Sequence, residues 1–402
     1  MVEENPLENL EETPPNFEAY QHLLAAKAVY GNKNEYIKLI DAAIIADKTY
    51  FEPQVDRIAY YYNAGEYRKA DSLRLLLNNK PITSKRQGNL LKMYESLLLG
   101  NNRDTYRYLK NEYSIYPDDL ETNASIMTVA LQFVNRPEDV SKIFSRIALD
   151  GLDIEDCAQC KFRYYIKGLA EIELGHYDKA IELLKPFSKS SKNRLLKQVL
   201  IMAQIRAAQS DSLVDGTLAN VKLLMSTNDW RRLTMIASKE YLRIGNKKRA
   251  AHHAQNIIAS FDGKDELQIR ERRMLGLAHF YEGDYKKAIF YLEKYLKDDP
   301  NIGLFDHYSH LAVAYHKTGN TRRAEAILTL LDEKRTPYDY GHIDYALAQY
   351  FAATGRNEEA YSHLLKSAAD GKWFTSDGYH NDIFFQDIKN EEAFQEITRF
   401  WH

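Results

Sequence analysis

The chain has 402 residues, 28% of them charged and 45% hydrophobic, with a formal net charge of −3. That balance lacks the concentrated basic excess of a nucleic-acid binder, and no apolar run reaches the roughly 18 residues that span a bilayer. Only 10 Pro and 18 Gly punctuate the chain, beside 29 Tyr, so few breakers interrupt helix-compatible sequence and an all-helical fold is expected.

Taken in chain order, residues 1–15 are acidic and Pro-bearing, lack the basic and apolar regions of a signal peptide, and read as a linker. Residues 16–370 carry helix-pair periodicity throughout. Within them a phrase recurs: glycine, then alanine five positions later. Six pairs sit in a helix-turn-helix context, namely Gly65/Ala70, Gly175/Ala180, Gly245/Ala250, Gly283/Ala288, Gly319/Ala324 and Gly355/Ala360. The last four glycines are 38, 36 and 36 residues apart, a period that marks a stacked repeat. Gly341/Ala346 shares the spacing but precedes a helix start and is set aside.

The positions around each glycine agree with that reading. Seven residues earlier stands a small residue (Gly168, Ser238, Gly276, Ala312, Ala348), which admits a neighbouring helix. The glycine ends the first helix, where positive φ is needed. The alanine lies where the second helix crosses the first, and Pro300 and Pro337 follow second helices. This combination resembles the tetratricopeptide repeat. The match is strongest at 160–187 and 265–368, looser at 53–80 and 228–258, and lacks the full signature at 86–117, 121–148 and 193–226. The resemblance implies one right-handed all-α superhelix of about nine or ten helix pairs.

Residues 371–402 are read as a closing segment, with Trp373, Phe384, Phe385, Phe394 and Phe400 expected to cover the last repeat. Asp382–Phe385 and Glu392–Phe394 are similar to the end motifs that follow tetratricopeptide arrays in bacterial signalling proteins. That similarity implies an array attached to a kinase, nucleotide cyclase or DNA-binding domain, with a cytoplasmic location by default and a periplasmic one for a membrane-tethered parent.

No catalytic constellation emerges. "CAQC" at 157–160 lacks the second Cys pair a zinc site needs and the βαβ context of a redox motif. Cys157 and Cys160 are expected to be small core residues at a helix start, with a disulfide as the alternative in a secreted chain. His252 and His253 point about 100° apart on a helix and cannot easily share an ion. No cofactor, no metal and no enzymatic activity are expected.

What remains is a surface. In the tetratricopeptide repeat the first helix of each pair lines the concave groove, through positions thirteen, ten, six and three before the glycine. Those rows include Arg232 and Lys239, then Arg270, Arg273 and Phe280, then His316, then His342 and Tyr345. Arg270 and Arg273 are one turn apart and are expected to read one acidic patch, with Phe280 as an apolar anchor. Leu277 occupies the asparagine position of the carboxylate clamp, so a chaperone-tail ligand is not implied. The expected partner is a protein or peptide lying in the groove of 228–368, with no nucleic acid and no membrane insertion. Self-association is the alternative.

Overall fold

A computed structural model describes residues 14–149, 154–264, 266–298 and 305–400. Among them there are helices and turns and no strand. The helices come in ten antiparallel pairs. The first three are Phe17–Ala28 with Lys33–Ala46 (α1, α2), Phe51–Asn63 with Tyr67–Asn78 (α3, α4) and Lys85–Leu98 with Asn102–Ile115 (α5, α6). Pair 4 is Leu120–Thr128 (α7), prolonged by a π-helical turn at Val129–Phe133, with Pro137–Ser145 (α8). Pairs 5 to 7 are Ala158–Glu173 with Tyr177–Leu184 (α9, α10), Arg194–Arg206 with Asp211–Leu224 (α11, α12) and Thr227–Arg243 with Lys247–Ala259 (α13, α14). Pairs 8 to 10 are Ile269–Glu282 with Tyr285–Asp298 (α15, α16), Asp306–Lys317 with Thr321–Asp332 (α17, α18) and His342–Ala353 with Asn357–Ala369 (α19, α20). A last short helix, Glu392–Thr398 (α21), packs against α20.

Local chemistry explains the punctuation. Asn32, Ser84, Asn101, Asp119, Asn193, Ser226, Asn246 and Asn320 stand at N-caps, and each accepts a hydrogen bond from an orphan backbone N–H of the first turn. All six anchor glycines have positive φ, from 74° to 96°. The alanines five residues on are fully buried at the crossing of each pair. At the small-residue position a Cβ on Gly276 would lie 2.6 Å from Leu292 Cγ, so only a glycine fits there. Pairs 4 and 6, where the glycine signature fails, put Asn135 (φ 50°) and Ala208 (φ 53°) at the left-handed corner instead. Gly341 is not an anchor: it precedes α19 and lies against the Ser367 backbone. Pro300 lies outside the described residues.

The superhelix turns far enough for its two halves to touch. The loop before α19 reaches back to pairs 2 and 3, where the Tyr338 hydroxyl donates to Asp71 (3.1 Å) and that of Tyr340 to the Leu98 carbonyl (3.3 Å). Gly100 and Gly371 meet backbone to backbone, and a Cβ on Gly371 would fall 2.6 Å from the Gly100 carbonyl oxygen.

The C-terminal segment departs from the expected cap. Phe385 and Phe394 are fully buried beside the last pair, as read from the sequence, and the Tyr361 hydroxyl donates to Glu391 (2.6 Å). Trp373 and Phe384 are elsewhere. Trp373 stacks on Phe133 of pair 4, and Phe384 packs edge-on against Phe280 and His310 of pairs 8 and 9. The segment therefore crosses the inner side of the array before closing its end. It can do so because the superhelix brings pairs 4 to 10 around one channel.

Candidate peptide-binding groove

The channel wall is made by the first helices of the pairs, and the stretch 372–385 runs along it. The π turn of pair 4 sets the first contact. Arg136 N–H donates to Ala130 and Val134 N–H to Val129, which leaves the Gln132 carbonyl free to accept from Phe374 N–H at 2.7 Å. Lys372 is buried there, its Nζ 4.8 Å from the Tyr345 ring centroid, and burial lowers its ammonium pKa to about 8.

Farther along, buried Arg206 splits its guanidinium between Glu240 (2.8 Å to each oxygen) and the Ser376 carbonyl (3.0 Å). Lys239 Nζ lies 2.8 Å from Asp377 Oδ2, and this cation holds the Asp377 carboxyl down at about 2. Burial opposes the charge on Lys239, yet Asp377 overcomes it and keeps the ammonium above its ordinary value. The chain then turns through Tyr379, fully buried and stacked on Phe374; the Tyr379 N–H donates to the Tyr345 hydroxyl (2.7 Å). Glu173 accepts from Asn381 (2.8 Å) and pairs with His380 (2.7 Å).

Asp382 is the centre of a buried network. Its Oδ2 accepts from the Tyr345 hydroxyl (2.9 Å) and Gln349 Nε2 (2.6 Å), and its Oδ1 from Phe384 N–H (2.9 Å). Gln349 in turn accepts from Ser309 Oγ at 2.6 Å. Burial pushes the Asp382 carboxyl up, while these donors and Lys239 pull it back. Two residues on, Phe384 enters a slot whose walls are Phe280 and His310.

Of the residues singled out in the sequence, Lys239, Phe280, His342 and Tyr345 meet the segment, His342 through its ring 6.2 Å from that of Trp373. Arg232 and Arg270 are exposed. Arg273 does not join Arg270 in an acidic-patch reader, because its guanidinium reaches Asp306 of the next pair at 2.6 Å. His316 sets its ring against Tyr350, 6.1 Å away, and its buried Nδ1 finds no hydrogen-bond partner among the described residues. Gln132, Gln198, Arg206 and His310 were missed. Two of them obey the same register once the left-handed corner is the anchor: Gln132 is three before Asn135, and Gln198, within 3.5 Å of Ser376, is ten before Ala208. Anchoring on glycine alone hid them.

The cysteines are corrected as well. Cys157 and Cys160 form a disulfide rather than two free core thiols. Cys157 lies just outside α9 as its N-cap, which brings the two Cα atoms to 5.2 Å, within bridging range. Cys160 is fully buried and Cys157 half-buried.

No helix among the described residues is long and apolar enough to cross a membrane. Residues 270–302, covering most of pair 8, match the family model of the tetratricopeptide repeat. No curated protein matches the sequence. Among solved structures the chain is similar to a tetratricopeptide repeat protein from Parabacteroides merdae, at 12% identity and a TM-score of 0.39, over 74% of this chain and 98% of that one. It is also similar to the anaphase-promoting-complex hetero-tetramer Cut9–Hcn1 (12%, TM-score 0.34, 99% and 78% covered) and to human IFIT1 in a dimer with m7Gppp-AAAA (14%, TM-score 0.34, 97% and 90% covered). These superpositions are too loose to carry a ligand from those proteins to this one. With a family match on pair 8 and nine of the ten helix pairs turning at a left-handed glycine, Asn or Ala corner, the chain carries tetratricopeptide repeats in an all-α superhelix.

Proposed function

We propose that the protein is a non-enzymatic scaffold that binds a protein or peptide in the concave channel of pairs 4 to 10. One observation carries the reading: a stretch without α-helix, 372–385, with a single 3-10 turn at Tyr379–Asn381, already rests in that channel on backbone, ionic, hydrogen-bonding and aromatic contacts from all seven of those pairs. A surface that satisfies an irregular backbone in this way has the chemistry of a peptide reader, in which main-chain bonds hold the ligand and pockets select its side chains. Recovery of one and the same protein from a native lysate by the wild-type chain, and its loss with Lys239→Glu, tests the groove. Turnover of nucleotide or phosphoester substrates by the purified chain overturns the non-enzymatic part.

The end motifs at Asp382–Phe385 and Glu392–Phe394 favour a place in a bacterial signalling or regulatory protein, as its sensor or as the regulatory region of a parent chain. A kinase, cyclase or DNA-binding domain encoded in the same reading frame supports that assignment, and light scattering separates it from a self-associating array.

A further inference from the structure

The contacts made by residues 373–385 separate into three reading devices at fixed spacing. The first is a carboxylate on Lys239, taken by Asp377, whose side chain stays 53% exposed. The second, five residues later, is a carboxylate held by Tyr345 and Gln349, taken by Asp382, which is 2% exposed. The third, two residues beyond that, is the slot between Phe280 and His310, taken by Phe384. The devices differ in stringency. Tyr345 and Gln349 are themselves buried, with Gln349 held by Ser309, so an occupant without an acceptor at the second position leaves the Tyr345 hydroxyl and the Gln349 amide unpaired, which is the costly failure. The half-exposed ion pair on Lys239 orients the chain at less cost if lost.

Resting on the scaffold reading above, we propose that the partner is a peptide without α-helix, with a carboxylate, a second carboxylate five residues on and an aromatic two residues after that, and that it takes the place of residues 373–385. The C-terminal segment is then an internal occupant that sets the threshold for binding. A tethered segment competes at an effective concentration on the order of millimolar, so a free peptide of equal quality is excluded at micromolar concentration until the tethered copy is weakened.

The test uses the full chain and a fluorescein-labelled peptide of residues 373–385, read by anisotropy. Binding to the wild-type chain is expected to be undetectable below about 100 µM. The chain carrying Asp377→Ala with Phe384→Ala is expected to bind the same peptide at least tenfold more tightly than wild type. Adding Lys239→Glu to that chain, or replacing Asp382 by Leu in the peptide so that no acceptor remains, is expected to reverse the gain. If the double variant loses helicity by circular dichroism, Asp377→Lys alone, a change at a half-exposed side chain, makes the same comparison. Equal binding to wild type and weakened chains, or indifference to Asp382→Leu in the peptide, overturns the proposal. So does a dimer of the weakened chain in light scattering, which assigns the channel to a second copy. A lysate partner whose recovery ignores Lys239→Glu but is lost with changes elsewhere on the array removes this inference while the scaffold remains.

Discussion

The two ends of the array solve the same problem differently. Pair 10 is shut: Phe385, Phe394 and Tyr379 are fully buried and belong to one core with α19 and α20. Among the described residues pair 1 is open along α1, where Phe17, Tyr20 and Leu24, spaced for one helix face, are 72%, 44% and 51% exposed. Its interior is a small cluster of Leu23, Ala26, Tyr36 and Ile40, separate from the main core. Polar ties hold it instead, Lys27 reaching Asp56 of pair 2 (3.1 Å) and Glu121 of pair 4 (3.0 Å). In a stacked repeat each unit is stabilised by its neighbours, so a terminal unit is as firm as whatever covers its outer face.

The strongest way to break the comparison is Phe385→Ala. It empties a fully buried site, and about 3–5 kcal/mol of stability is expected to be lost. Amide exchange is the measurement: protection is expected to fall in α19 and α20 and to stay unchanged in α1 and α2. Equal losses at both ends mean that the array opens as one unit.

Acid is expected to act next, again on the C-terminal half. Burial lowers the pKa of His253 and His310 to about 4 and that of His342 to about 3. Arg249 adds to the effect on His253, and Asp215 and Asp211 oppose it; at His310, Asp306 opposes and Lys239 and Arg273 add; at His342, Lys372 adds and Asp306 opposes. The folded state therefore binds fewer protons than the unfolded chain below the ordinary pKa of 6.5. Stability is intact above pH 6.5 and falls as pH drops toward 4, by up to about 1.4 kcal/mol per pH unit for each histidine. Urea titrations at pH 7.5 and 5 measure the slope, and His310→Gln is expected to flatten it.

A smaller effect sharpens the picture inside the half that the segment occupies. Arg273→Ala breaks the tie to Asp306 and is expected to cost about 1–2 kcal/mol, whereas exposed Arg270→Ala is expected to stay within about 0.5 kcal/mol. Equal melting temperatures for the two variants refute the inter-pair role of Arg273. The Cys157–Cys160 bridge is local to the start of α9. It closes so short a loop that reduction is expected to remove at most about 2 kcal/mol, read as a shift of the melting midpoint with reductant.

Much of the groove was legible because periodicity fixes direction. A residue six before the anchor points inward whatever its neighbours are, and Lys239 and Tyr345's row, with Ser309 and Gln349, line the channel as that rule requires. Pairs 4 and 6 were blurred because Asn135 and Ala208 accept a left-handed corner that glycine adopts at less cost. The pairing of Arg273 with Asp306 was hidden because helix spacing shows that two arginines share a face, never what the next helix offers them.

The sequence by itself determined the helix pairs, their period and which side of each first helix looks inward, since these follow from local φ preferences and a 3.6-residue repeat. Only the tertiary structure decided what fills that inner side. Trp373 on Phe133, Asp377 on Lys239 and Phe384 on Phe280 join residues that are hundreds or scores of positions apart. Their meeting depends on superhelical curvature, accumulated from small rotations at every pair interface, and no single stretch of sequence encodes that sum.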